Sequence, residues 1–267
     1  MKFAQVKTFG LMRAIMVAGL MVAGFATLLP GTASAIPVTK TLTIQVFQVC
    51  DDAGNNCASL GPAGDAYFAT EVNKIWNQAG ISVGFNFVQT IDSTAFSSID
   101  DHVTSDGFGD LAALYGTHGP SSTIVDMFLV HTVAGAYGES WFGSGGLIIA
   151  MDTVMGFNNG ISRIDTIAHE LGHNFGLVPD SLGGVDSHHS TIASELMASG
   201  GNRSVPTTTA DIYPDGLGLD QLPADQIAYA RLSTLLQDVT VPEPGSYALL
   251  TIGLIALIML RRRSAVS

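Results

Sequence analysis

Basic residues are scarce in this chain. Its 267 residues hold 11 Lys and Arg against 23 Asp and Glu, a formal net charge of −12. Without a basic surplus there is nothing to meet a phosphate backbone, which excludes nucleic-acid binding as the main task. Charge of either sign is thin, at 13%, while hydrophobic residues make up 47%. That balance excludes disorder as the main state. There is no G-x-S-x-G segment, so the serine elbow of an α/β-hydrolase is missing. There is no glycine-rich phosphate loop carrying a lysine. There is no D-x-D-x-D-G loop either, so calcium has carboxylate charge to attract it but no motif to hold it. No internal repeat is visible, and cysteine occurs only twice.

Much of the apolar content sits at the two ends. Lys2, Lys7 and Arg13 precede and open an uncharged apolar run over Ala14–Leu29, and Ala33-Ser34-Ala35 follows. This is the layout of a secretory signal peptide over residues 1–35, with a membrane-spanning helix as the alternative. At the other end, Val241-Pro242-Glu243-Pro244-Gly245 precedes an apolar stretch, Ser246–Leu260, and then Arg261-Arg262-Arg263. The apolar stretch is shorter than the roughly 20 residues of a standard span, and the arginines would hold its end on the cytoplasmic side. This tail, residues 241–267, resembles the PEP-CTERM sorting signal of Gram-negative bacteria. The resemblance implies a short transmembrane helix, transient inner-membrane association and processing by an exosortase. A plain C-terminal anchor is the alternative. Either way the middle of the chain is expected outside the cytoplasm, in the periplasm, at the cell surface or in the extracellular matrix.

The two ends also mask the charge of what lies between them. Residues 36–242 keep five basic residues (Lys40, Lys74, Arg163, Arg203, Arg231) against 22 acidic ones, a net charge of −17. Such a field favours solubility and cations and repels anionic partners. Cys50 and Cys57 enclose a six-residue polar turn. In an exported chain such a pair is expected to form a disulfide, with two unpaired core cysteines as the alternative.

The middle, residues 36–240, reads as one α+β domain. Alternation predicts strands over Leu42–Val49 and Ile81–Val88, with a helix over Asp65–Ala79 between them. A short helix is expected near Phe108–Tyr115, a central strand over Ile124–Val133, a glycine-rich loop over Ala134–Gly146 and a strand from Leu147. Ile164, Ile167, Ala168, Leu171 and Phe175 share one face of a helix expected over Ile161–Phe175, with Gly176 at its end. Residues 177–223 read as loop, and Pro223–Leu236 as a last helix.

The chemistry is concentrated on the helix before Gly176. His169-Glu170-Leu171-Gly172-His173 is an H-E-x-x-H motif. Residues four apart project from one helical face, so both imidazoles can reach one metal. Glu170 then stands where it can serve as general base toward water beside that metal. Asn174-Phe175-Gly176 extend the motif to H-E-x-x-H-x-x-G, and Glu195-Leu196-Met197-Ala198-Ser199 lies downstream. These segments resemble the zinc helix and methionine turn of metzincin zinc metallopeptidases. The resemblance spans about residues 40–236. It implies a metzincin-like zincin: a mixed twisted sheet with an active-site helix, a loop-rich C-terminal part and a final helix. It also implies Zn2+ as cofactor, Met197 as the floor of the site, a polypeptide substrate, and an edge strand that pairs with it, supplied by Ala136–Gly146 or its neighbour and lined by Tyr137, Trp141 and Phe142. An ordinary core methionine is the alternative for Met197.

The family's third ligand is a His or Asp at the tenth position after the first histidine, and here that position is Pro179. Asp180 is ranked first as replacement, with His188 and His189 as the alternatives. The reading is therefore an exported zinc endopeptidase, set against a metzincin-fold surface or matrix protein with weakened or lost catalysis. His102, His118 and His131 are scattered and read as ordinary surface or core histidines.

Overall fold

A computed structural model describes residues 36–100, 107–117, 122–143, 145–177 and 189–239. The expected signal peptide, sorting tail, Asp180, His188, His102 and His118 lie outside the described residues. Among those described, no helix is long and apolar enough to cross a membrane.

The centre is a mixed six-stranded sheet. Its strands are β1 (Lys40–Cys50), β2 (Ile81–Asp92), β3 (Ile124–Val130), β4 (Gly138–Ser140), β5 (Gly146–Ala150) and β6 (Gln237–Asp238). The main order is β2-β1-β3-β5-β4. Strands β2, β1, β3 and β5 are parallel; β4 runs antiparallel to β5 at the edge. β6 pairs antiparallel with Lys40 and Thr41 at the start of β1, before β3 begins opposite Thr43. The helices are α1 (Ala69–Trp76), α2 (Phe108–Tyr115), α3 (Met151–Gly160), α4 (Thr166–Asn174) and α5 (Ala224–Ala230).

The central strands β3 and β5 are buried on both faces, which is why they are almost wholly apolar, with Asp126 the one charged residue in β3. Leu42, Ile44, Val46, Met127, Leu129, Leu147 and Ile149 pack on one side with α1, α4 and the segment around Met197. Phe47, Val49, Phe128, Val130 and Ile148 pack on the other with Phe108 and Leu111 of α2. Trp76 locks α1 to α4: its Nε1 donates to the Ala168 carbonyl at 3.2 Å, and its ring meets Phe175 edge-on at 4.6 Å.

The α+β class and the mixed sheet agree with the sequence reading, and Cys50 and Cys57 are disulfide-bonded. Several boundaries differ. The strand expected over Ile124–Val133 stops at Val130, because both ring nitrogens of His131 are engaged, by Asp152 and by the Asn56 carbonyl. Thr132–Val133 then pairs with Ser98–Ile99 in a separate small ladder. The loop expected over Ala134–Gly146 contains the edge strand β4. The helix expected from Ile161 begins at Thr166, since Ser162 adopts φ 79° and the Arg163 amide turns back to the Val154 carbonyl. Helix α3 was not expected at all; its last turn is irregular, with Asn158 and Asn159 at positive φ. The final helix is shorter than Pro223–Leu236, and β6 follows it.

Removing the Trp76 ring deletes a fully buried side chain at the α1–α4 contact. Trp76→Ala is expected to cost about 3–5 kcal/mol in urea unfolding, whereas Leu232→Ala, at an 80% exposed position, should stay within about 0.5 kcal/mol.

Candidate metal centre

Helix α4 carries the H-E-x-x-H motif, and all nine of its residues are buried. Its C-terminus is closed by a Schellman arrangement: the Leu177 amide donates to the Gly172 carbonyl and the Gly176 amide to the His173 carbonyl, both at 2.9 Å. Gly176 sits at φ 83°, a left-handed conformation that a side chain would disfavour by about 1–2 kcal/mol. The turn has a second effect. It brings the Leu177 carbonyl back to His173 Nδ1 at 3.1 Å.

His169 is held in the same manner from further along the chain, with Nδ1 2.7 Å from the Leu196 carbonyl. A ring whose Nδ1–H is given to a carbonyl presents Nε2 as a metal ligand. His189 completes the group. Its ring lies 5.3 Å from those of His169 and His173, and one ligand atom from each of the three histidines lies within 4.8 Å of the others. His189 is positioned by the segment it follows into: the Ser190 amide donates to the Met197 carbonyl at 2.6 Å, and Ser190 Oγ to Glu195 at 2.7 Å. The third imidazole and the Met197 segment are thus one local unit. Met197 is buried against the backbone of Gly172, where any Cβ would fall 2.2 Å from its sulfur. Three imidazoles gathered at this separation, with Nδ1 of His169 and His173 already engaged, suit Zn2+.

Two charges shape the site. Arg203 was passed over in the sequence reading. Its Nη1 donates to the Leu196 carbonyl at 2.8 Å and touches His169 Nδ1, and its Nε lies 2.8 Å from Asp165. Burial, with Arg203 and His173 adding to it, holds the His169 pKa well below its ordinary value, so the ring stays neutral. Glu170 is buried beside them and accepts a hydrogen bond from Ser140 of β4 at 3.1 Å. Burial pushes its pKa up to about 7, against the opposing pull of Ser140 and Arg203. A carboxyl poised there can exchange a proton at neutral pH.

The edge strand is fastened to α4. Asn174 Nδ2 donates to the carbonyls of Trp141 and Gly146, and the Gly143 amide donates to the His173 carbonyl. At Gly138 a Cβ would fall 2.9 Å from Glu170 Cγ, so glycine lets the strand approach α4. A cavity of about 680 Å³ opens between β4, α4 and residues 199–205, lined by His169, Glu170 and His189 among others. Tyr137 lines it too. Phe142 meets the His173 ring edge-on at 5.2 Å, whereas Trp141 stacks on Phe108 and is a packing residue. Only the scarcity of basic residues could have flagged Arg163 and Arg203, two of the five in this region. Nothing in the local pattern marked Ser140.

A family model described as the PEP-CTERM protein-sorting motif matches residues 240–263. No curated protein matches the sequence. Among solved structures, the chain is similar to a zinc-dependent peptidase from Methanocorpusculum labreanum, at 12% identity and TM-score 0.41, over 70% of this chain and 99% of that one. It is similar to mature mirolysin of Tannerella forsythia in complex with a cleaved peptide, at 14% identity and TM-score 0.44, over 75% of this chain and 92% of that one. It is also similar to archaemetzincin from Archaeoglobus fulgidus, at 13% identity and TM-score 0.36, over 71% and 99%. None of these similarities assigns an activity to this chain.

Gly172→Ala is expected to push Met197 out of its seat and to lower stability by about 1–3 kcal/mol. Thermal unfolding of the metal-free protein should show the loss, and the substitution Met197→Ala in the same chain should relieve the clash.

Proposed function

We propose that this chain is an exported, zinc-dependent endopeptidase of metzincin type, with His169, His173 and His189 as ligands and Glu170 as general base. The observation that carries this reading is the convergence of three histidine ligand atoms within 4.8 Å beside the buried Glu170. The argument for an inactive chain rests on Pro179 at the usual ligand position. A third imidazole supplied by His189 needs no ligand from that position, which favours the active reading.

A bound zinc would polarise the scissile carbonyl and lower the pKa of water in the cleft. The chain's own residues do the rest. Strand β4 pairs only with β5 among the described strands, so an extended polypeptide can add to its outer edge. Glu170 takes a proton from the attacking water as the C–O bond forms. It then passes that proton to the departing amine as the C–N bond breaks. Ser140 orients the Glu170 carboxyl throughout, and Met197 seats the ligand-bearing helix from below.

The arrangement of the chain follows from the same reading: a signal peptide over 1–35, the catalytic domain over 36–240, and a tail over 241–267 that an exosortase would recognise. The Cys50–Cys57 disulfide suits an oxidising compartment outside the cytoplasm, at the cell envelope or surface.

Purified protein is expected to hold about one zinc per chain by elemental analysis and to cleave casein or peptides. Glu170→Gln should keep the metal while cleavage falls by about 10²–10⁴-fold; undiminished cleavage by that variant would overturn the assignment. His189→Ala should strip the metal, while Asp180→Ala and His188→Ala should retain it. Loss of zinc on Asp180→Ala instead would transfer the third ligand to Asp180.

A further inference from the structure

The basic residues of a strongly acidic region are few enough to be followed one by one. Lys40 pairs with Asp238 at 2.6 Å and Lys74 with Asp215 at 2.8 Å. Arg231 donates to the Ala79 carbonyl and to Thr39 Oγ1. Arg203 is committed to Asp165, Leu196 and His169. Arg163 is different. It lines the cavity that also holds His169 and Glu170, yet only 3% of it is exposed.

Its guanidinium lies 4.5 Å from the centroid of Tyr137 and 5.5 Å from that of Phe157. Nη2 donates to the Gly200 carbonyl at 3.2 Å. Nε stands 3.7 Å from Asp165, whose other oxygen is on Arg203, and it makes no hydrogen bond among the described residues. Burial and the neighbouring Arg203 work against its charge, and Asp165 and Tyr137 offset them only in part, so its pKa stays below the ordinary value. A planar cation held between aromatic rings, buried and incompletely paired, is built to receive a carboxylate. The mouth is bordered by glycine: a Cβ at Gly200 would be in ordinary contact with the guanidinium at 3.7 Å, and a Cβ at Gly201 would meet open space. Ala136, Phe157 and Val205 supply an apolar wall for a methylene stem.

The position along the substrate follows from strand direction. The pocket sits at the Gly135–Gly138 end of β4, and Phe142 lies past the other end. A peptide laid antiparallel on β4 would place its C-terminal half at the Arg163 end. Resting on the peptidase reading above, we infer that Arg163 is a specificity residue that binds a carboxylate of the substrate polypeptide on the C-terminal side of the scissile bond. That carboxylate is an Asp or Glu side chain or the chain's own C-terminus.

The test uses the zinc-loaded full chain and two matched peptide pairs: Glu against Gln beside the cleavage point, and a free C-terminus against its amide. At least one pair should show a preference of about tenfold or more in kcat/KM for the carboxylate, as a charge-assisted hydrogen bond would give. The pair that shows it names the source. Arg163→Gln should bring that ratio close to one, and Arg163→Lys should retain part of the preference. If Arg163→Gln does not fold by circular dichroism, the wild-type ratios still decide. Ratios near one in both pairs overturn the inference and leave the peptidase reading standing. If no peptide is cut, the peptidase reading falls, and a binding measurement decides the pocket by itself. The metal-free full chain should bind N-acetylglutamate N-methylamide or N-acetylglycine about tenfold tighter than the corresponding uncharged amides in isothermal titration. Equal affinities would sink the carboxylate site.

Discussion

The two imidazoles of the central helix are aimed by backbone carbonyls that the helix itself does not contain. Leu177, past the glycine turn, holds His173, and Leu196, more than twenty residues on, holds His169. Almost every other feature of the centre follows from meeting these two bonds. Gly176 must turn left-handed to bring the Leu177 carbonyl back. The Met197 segment must run under α4 to present Leu196, which requires Gly172 to have no side chain. The same segment pairs with Ser190 and so delivers His189. A single hydrogen-bonding requirement on Nδ1 thereby couples the turn, the floor and the third imidazole.

Electrostatics add a second layer. The domain is acidic overall, yet two of its five basic residues are buried at the cleft. Arg203 sits against His169 and Asp165, where its charge adds to burial in opposing protonation of the ring. Asp220, fully buried behind it, has its pKa raised well above the ordinary value by burial and by the nearby Asp165. Two buried guanidinium groups thus sit at the cleft of an otherwise acidic domain.

Legibility varied with the physics involved. Strands β1 and β2, helix α1 and the core face of α4 were readable because alternation and 3.6-residue spacing are local properties. The end of β3 was not, because His131 leaves the sheet to bridge Asp152 and Asn56, residues 21 and 75 positions away. The start of α4 was missed for a similar reason. Arg163 and Ser162 have side chains compatible with helix, but the chain there turns back on Val154. Strand β4 has only three residues and no apolar alternation; it is a strand because Asn174 and β5 hold it in place.

The sequence by itself determined that two imidazoles and a carboxyl share one helix turn. Two histidines four apart with a glutamate between them share one helical face whatever surrounds them, and the tail at residues 240–263 carries a sorting motif that is legible from its resemblance to a known family. Only the tertiary structure showed that His189 lies beside the pair and what surrounds it. Pro179 breaks the expected ligand spacing, and no local rule tells how far a loop must travel before it returns to the helix. His189 arrives because Ser190 pairs with Met197, and Arg163 reaches the cleft because an irregular turn after α3 folds it between Tyr137 and Phe157. Both are consequences of long-range contacts, which periodicity in a single chain does not encode.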